Sequence, residues 1–326
     1  MPIKAILIVG GAGYIGSHMT HYLTRSGYHP VVLDNLSTGH RDAVQNAEFI
    51  LGDMSDAELL DKIFSTHSFL AVMHFASFIQ VGESVQDPAK YYKNNVANTL
   101  TLLEAMLKWN VKKFIFSSTA AVYGEPQYTP IDENHPLLPM NPYGHSKRMI
   151  EQVLEDFSYA YDFQFAALRY FNAAGADPDG TLTERHEPET HLIPLILRVA
   201  RGKKREKKAI TVYGRDYPTV DGTCIRDYIH VVDLCAAHLL ALETLMKDKK
   251  SFSYNLGTGK GYSVQEVIDA ARRITKHEIP VIEGDRRLGD PAILIADVAS
   301  AMRELNWRPR YSNLETMIQD AWNSHR

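Results

Sequence analysis

IKAILIVGGAGYIGSH, residues 3–18, is the stretch from which the fold can be read. Its first seven residues make an apolar run of strand length, and Gly10-Gly11-Ala12-Gly13-Tyr14-Ile15-Gly16 follows at once and leads into a helical pattern near 14–26. Glycines at such a junction permit a tight turn. They also let backbone N–H groups approach a pyrophosphate, whose charge the helix N-terminus stabilises. A glycine pattern alone is weak evidence; strand, turn and helix in direct succession give it its specificity. The spacing is Gly-x-x-Gly-x-x-Gly, not the commoner Gly-x-Gly-x-x-Gly.

Outward from this turn, β-rich runs alternate with helical ones: VVLD (31–34), FILGD (49–53), a helix near 56–66, LAVMHFA (70–76), a long helix from about 88 to 109, and KKFIFSS (112–118). A helix opening near Pro142 and the strand-like FQFAALRYF (163–171) continue the series. The alternation predicts an α/β chain, a Rossmann-type doubly wound parallel sheet with helices on both faces. After about residue 173 a polar loop, AAGADPDGTLTERHEPETH, opens a smaller C-terminal α/β unit for substrate. RDYIHVVDLCAAHLLALETL (226–245) reads as a strand or turn and a strong helix returning to the first unit. The expected division is 1–173 with about 227–250 for the dinucleotide, and 174–226 with 251–326 for the substrate. In the latter, YNLG and PVIEGD bracket the helix SVQEVIDAARRIT.

The 326 residues, 45% hydrophobic and 23% charged, suffice for more than one core. A net charge of -4, with both signs interspersed, gives no reason to expect nucleic-acid or membrane partners. The basic run 203–208 reads as a solvated loop. Cys224 and Cys235 have neither disulfide-framework nor zinc spacing, which fits a reducing, cytoplasmic setting. No stretch approaches the ~18 apolar residues of a membrane span.

Asp34 ends VVLD, where a carboxylate accepts from a ribose 2′-hydroxyl and repels a 2′-phosphate, so NAD is expected over NADP. Arg41 is the one contrary hint. Asp53 and the pair Phe75-Ala76 stand at further strand ends, where open α/β sheets bind ligands; Asp53 could instead be a helix N-cap.

Thr119 follows KKFIFSS at another strand end. NPYGHSKRM (141–149) sets Tyr143 and Lys147 one helical turn apart behind Pro142. A Tyr-x-x-x-Lys taken alone is more often a buried tyrosine with a snorkelling lysine. Beside the glycine turn it reads as a proton-transfer pair. Lowering a phenol by ~3 pK units takes about 4 kcal/mol. A cation ~4 Å away at an effective dielectric of ~20 supplies roughly that, which would make Lys147 the group that keeps Tyr143 poised.

Read together, GGAGYIGSH, LDNLSTGH, VGESVQDPAKYYKNNV, FIFSSTAAVYG, NPYGHSKRMIEQ, LRYFNAAGA, YGRDYPTVDGTCIRDYIHVVDL and YNLGTGKGYSV resemble the UDP-glucose 4-epimerase family of the extended short-chain dehydrogenase/reductase superfamily. The resemblance implies NAD reduced and reoxidised within one cycle, a transient 4-keto UDP-sugar, Tyr143 as acid/base with Thr119 and Lys147, and a homodimer. It maps Gly10, Gly13, Tyr14, Ile15, Gly16, Asp34, Asn35, Thr38, Gly39, Asp53, Met54, Phe75, Ala76, Asn94, Tyr143, Lys147 and Tyr170 to the cofactor. It maps Thr119, Tyr143, Asn172, His191, Leu192, Thr211, Tyr213, Arg226, Arg287, Asp290 and Leu294 to the UDP-sugar. Related 4,6-dehydratases place an Asp-Glu pair after the threonine; Ala120 and Ala121 stand here, which disfavours elimination.

Three positions depart from the family pattern. Ile79 stands where several members carry Lys. His191 stands where some have Asn, and it could instead cap the next helix. Leu294 is intermediate in bulk beside the sugar 2-substituent and leaves UDP-N-acetylhexosamines open. No metal site is expected: His18, His21, His230 and His238 read as structural. Asp132-Glu133 and Glu187–Glu189 read as solvated, and Gly257-Thr258-Gly259-Lys260-Gly261 as a turn after a strand and not a phosphate loop.

Overall fold

Ala5–Val9 forms β1, buried at all five positions, as a strand covered on both faces must be. The computed structural model describes residues 5–202, 208–287 and 289–324; apart from Lys208, the basic run lies outside the described residues. From β1 the chain turns into α1 (Tyr14–Arg25) and continues through β2 (His29–Asp34), β3 (Glu48–Leu51), β4 (Phe69–His74), β5 (Lys113–Thr119) and β6 (Gln164–Tyr170). These six strands and Phe252–Leu256 make one parallel sheet. Its order is Phe252–Leu256, β6, β5, β4, β1, β2, β3. Chain order reverses between β1 and β4, so the crevice at their carboxyl ends is the ligand position of a doubly wound sheet.

Two apolar layers hold the helices to this sheet. On one face Met19 and Leu23 of α1 pack with Leu234 and Leu242 of the helix Val231–Asp248; on the other Leu60, Leu102, Ile150 and Leu154 meet Leu7, Val72 and Phe114. The strand Phe252–Leu256 pairs with β6 from Phe252↔Ala166 to Leu256↔Tyr170. The sequence division at 251 had put it in the substrate unit. A parallel neighbour requires a crossover, and the helix Val231–Asp248 supplies one, carrying the chain back to the main sheet once more.

A second, smaller assembly centres on Ile225–His230, which pairs with Asn172–Ala174, Gly261–Ser263 and Ile293–Leu294. Beside it Ile210–Tyr213 pairs with Val281–Gly284. Ile196, Leu197, Val267, Ile268, Met317 and Ile318 form its core. The helix Val264–Thr275 begins with a full capping box, Ser263 and Glu266 exchanging side-chain and backbone bonds.

The expected long helix over 88–109 has three parts: Pro88–Tyr91, a π-helical turn Tyr92–Ala97, and Asn98–Lys108. The π turn carries Asn94 and Asn95. Asn95 accepts from Phe78 N at 2.9 Å and donates to Phe78 O at 3.0 Å and Ser146 Oγ at 3.1 Å, tying the loop after β4 to the Tyr143 helix. Departures of this kind from the α repeat cluster at functional sites.

Candidate active site

The glycine turn is built by exclusion of side chains. Gly10 has φ +81°, and a Cβ there would lie 2.5 Å from Ala76 N; one on Gly16 would lie 2.1 Å from Gly10 O. Only glycine lets β1, the loop after β4 and the start of α1 come this close. Asp34 closes the turn, accepting from Ala12 N and Leu36 N, both at 2.8 Å. Burial pushes its carboxyl up, and those two amides pull it back.

A groove at the switch point is lined by Gly10, Gly13, Asp34, Asn35, Thr38, Asp53, Met54, Phe75, Ala76 and Asn94. Ser77 and Phe78, which the sequence reading did not name, line it too. Asp53 accepts from Asn35 Nδ2 at 2.6 Å and Ser55 N at 2.8 Å; the adjacent helix is capped by Asp56, so Asp53 is no N-cap. Arg41 donates to Val44 O and lies over the Phe49 ring, which removes the hint of NADP.

Seven expected cofactor residues, Tyr14, Ile15, Gly16, Gly39, Tyr143, Lys147 and Tyr170, lie outside this lining. The Tyr14 hydroxyl donates to Gly175 O at 2.8 Å, and Ile15 packs in the apolar layer under α1. Gly39 sits against Ala12, and the Tyr170 hydroxyl shares a hydrogen bond with Ser117 Oγ at 2.8 Å. The clefted turn, the carboxylate at the end of β2 and the exposed amides of α1 fit a dinucleotide with a free 2′-hydroxyl.

Thr119 and Tyr143 meet because one helix starts tightly against β5. Asn141 caps the helix Pro142–Tyr161, accepting from Gly144 N at 2.9 Å, with Pro142 in its first turn. A Cβ on Gly144 would lie 2.6 Å from Ala121 O, so glycine there sets the approach. Burial raises the Tyr143 phenol and the Thr119 hydroxyl lowers it. Lys147, one turn further along the same helix, donates from Nζ to Ser77 Oγ at 2.8 Å and Ser117 O at 2.7 Å, and burial lowers it to about 7.

Beneath Lys147 runs a buried network absent from the sequence reading. Glu151 accepts from Ser118 Oγ at 2.6 Å and from Arg169 at 2.9 and 2.8 Å; Arg169 also donates to the Tyr123 hydroxyl at 3.0 Å. Lys147 and Glu151 are four apart on one helix face, and the Glu151 charge favours the Lys147 ammonium against its burial.

In the smaller assembly, Asn172 Nδ2 donates to Asp227 O at 2.9 Å. Arg226 and Asp290, both expected on the substrate, pair with each other, and Arg287 stacks over the Tyr213 ring at 4.0 Å. Thr211 shares the strand Ile210–Tyr213. Leu294 packs against the cluster of Val122, Tyr123 and Ile131. The Gly257–Gly261 turn wraps the Asp227 carboxylate, which accepts from Thr258 N at 2.7 Å and Gly259 N at 3.0 Å. Its amides are thus committed inside the protein.

Three further expectations are corrected. His191 is the N-cap of the helix Leu192–Arg201, but its side chain caps nothing. Glu189 is buried, not solvated: its Oε1 accepts from Thr190 N at 2.8 Å and His191 N at 2.9 Å. Glu133 accepts from Asn255 N at 2.9 Å and Asp132 from the Tyr128 hydroxyl at 2.8 Å, so this acidic pair is structural. Nδ1 of His191 faces Glu184 and Glu189, as does Nδ1 of His186. Burial works against charge on these rings, yet the carboxylates raise His186 to about 9 and His191 to about 10.

A glycine turn at the switch point, an acid at the end of β2 and a Thr, Tyr, Lys set fit a dinucleotide-dependent enzyme of the extended short-chain type. Residues 6–257 match the NAD dependent epimerase/dehydratase family. A UDP-glucose 4-epimerase from Halalkalibacterium halodurans is 53% identical over 99% of this chain and 96% of its own. The crystal structure of UDP-glucose 4-epimerase from Brucella ovis in complex with NAD has TM-score 0.95 at 48% identity, covering 98% of this chain and 97% of that one. That of UDP-glucose 4-epimerase from Bifidobacterium longum in complex with NAD+ and UDP has TM-score 0.93 at 40% identity, covering 99% and 98%. The chain belongs to the NAD dependent epimerase/dehydratase family and, within it, to the UDP-glucose 4-epimerases.

Proposed function

We propose that the protein interconverts UDP-glucose and UDP-galactose by reversible oxidation at C4. The observation that carries this reading is Thr119 meeting Tyr143 beside the dinucleotide groove, followed by Ala120 and Ala121 and not by an acid pair. A site so equipped can move one proton and one hydride at a carbinol, and it offers no second acid to expel water.

Tyr143 takes the proton of the sugar 4-hydroxyl and later returns it, while Thr119 holds that oxygen in line. NAD, when bound, supplies the acceptor and donor for the C4 hydride and a positive ring beside the phenol. Lys147, fixed by Ser77 and Ser117, positions the groove wall on which the nicotinamide ribose would rest. Arg226, Arg287, Tyr213, Thr211, Asn172, Leu192 and Asp290 hold the UDP group, so the keto sugar can turn and present its other face. The start of α1, at Tyr14 and Ile15, would hold the pyrophosphate of the cofactor through its free backbone amides.

The half-buried Leu294 leaves moderate room at the sugar 2-position, which favours the unsubstituted sugars while admitting slower turnover of N-acetylated ones. The protein works in the cytoplasm, consistent with two free, buried cysteines. It works as a homodimer, consistent with exposed Met149 and Tyr159 on the outer side of the helix Pro142–Tyr161.

Incubation with UDP-galactose and no added cofactor should yield UDP-glucose. No conversion, or NADH accumulating in step with product, would exclude the epimerase reading and favour a net dehydrogenase.

A further inference from the structure

Glu184, His186, Glu189 and His191 project from one eight-residue stretch of the loop ahead of the helix Leu192–Arg201. One ligand atom from each lies within 4.8 Å of all the others. The close contacts are His191 Nδ1 to Glu184 Oε1, 2.7 Å, and to Glu189 Oε1, 3.2 Å, with His186 Nδ1 to Glu184 Oε1, 3.1 Å, and to Glu189 Oε2, 3.7 Å. A tetrahedral zinc site with bonds of about 2.0–2.2 Å has ligand-to-ligand edges of roughly 3.3–3.6 Å. The cluster brackets that size.

A pair of imidazole–carboxylate bridges is the plain alternative, and it leaves too much undone. Glu184 Oε1, His186 Nδ1 and Glu189 Oε2 are buried and converge at ion-pair distances, yet none makes a well-aligned hydrogen bond. The carboxylate of Glu184 is 5% exposed and that of Glu189 0%. Buried polar atoms that converge without satisfying each other are costly unless something absent from the chain joins them. Glu189 is also held as a ligand would be: Oε1 is fixed by the Thr190 and His191 amides, which leaves Oε2 aimed inward.

We propose that these four residues bind one divalent first-row transition metal, zinc by preference, in a closed structural site. Two imidazole nitrogens select such ions over calcium and magnesium, which favour all-oxygen shells, and two carboxylates neutralise the dication. Four protein ligands leave no open position for catalysis. The ion clips the loop that runs from Gly175, which accepts the Tyr14 hydroxyl of the phosphate turn, to the helix start at Leu192. The Tyr14 ring stands edge-on to His186 at 6.3 Å and links the clip to α1.

The test uses untagged full-length protein purified without chelator, with bound metals measured by mass spectrometry. About one equivalent of zinc or another first-row metal per chain is expected. Dipicolinate should remove it and lower the thermal midpoint, and zinc chloride should restore both. Cobalt chloride added to stripped protein should give the intense visible bands of a four-coordinate site. His186→Ala and Glu184→Gln should each reduce the metal retained at least tenfold. Protein that holds no stoichiometric metal, takes up none after zinc addition, and keeps its midpoint in chelator would overturn the proposal. Because metal content is read without turnover, it can fail while the epimerase reading stands, or the reverse.

Discussion

Tyr143 shows how a residue's chemistry depends on what surrounds it. Its phenol is raised by burial and lowered by Thr119, so it is a poor base until ligands bring charge beside it. Tyr143→Phe keeps the ring and its packing and removes the proton carrier. It should bind NAD as the parent does and lose at least ~100-fold in kcat with UDP-galactose; undiminished turnover would take Tyr143 out of the mechanism. Lys147 turned out to be held by Ser77 and Ser117 O, partners far away in sequence. The Tyr-x-x-x-Lys spacing made both residues legible, but not which atoms each would touch.

At the scale of elements, two buried charges hold the reacting strands in place. Glu151, Arg169 and Ser118 lock the Tyr143 helix to β5 and β6. Arg169→Met should cost about 3 kcal/mol in urea unfolding, because buried Glu151 would lose its bidentate partner and keep only Ser118 and the longer Arg148 contact at 3.7 Å. A loss below 1 kcal/mol would mean water reaches Glu151. Asp227 plays the matching part in the smaller assembly. Burial raises it to about 6, against bonds from Thr258, Ala296 and Gly259. Asp227→Asn leaves those donors competing for one oxygen and should lower stability by roughly 3 kcal/mol with an unchanged urea m-value. The same contact explains why the Gly257–Gly261 turn looks like a phosphate loop in sequence and is not one: its anion is internal.

For the molecule as a whole, buried histidines set the acid limit. Burial lowers His18 and His238 to about 4 and His74 to about 3. The unfolded chain protonates near 6.5 while these folded rings stay neutral. Their contribution is therefore complete above about pH 6.5 and is lost as pH falls toward 4, at about 1.4 kcal/mol per pH unit for each ring. The thermal midpoint should drop steeply between pH 7 and 5, and His238→Gln should flatten the drop; a midpoint level across that range would refute it.

Local pattern was enough for the Rossmann-type sheet, the glycine turn between β1 and α1 and the acid at the end of β2, since each depends on residue types within one strand–turn–helix unit. Tertiary structure decided whatever depends on distant partners. The strand Phe252–Leu256 joins the main sheet because β6 has a free edge there. Arg226 meets Asp290 across 64 positions, and Glu189 is buried by a loop that reads as polar. Glu184, His186, Glu189 and His191 were visible as letters, but their convergence was not, because an irregular loop has no repeat from which a facing side can be read.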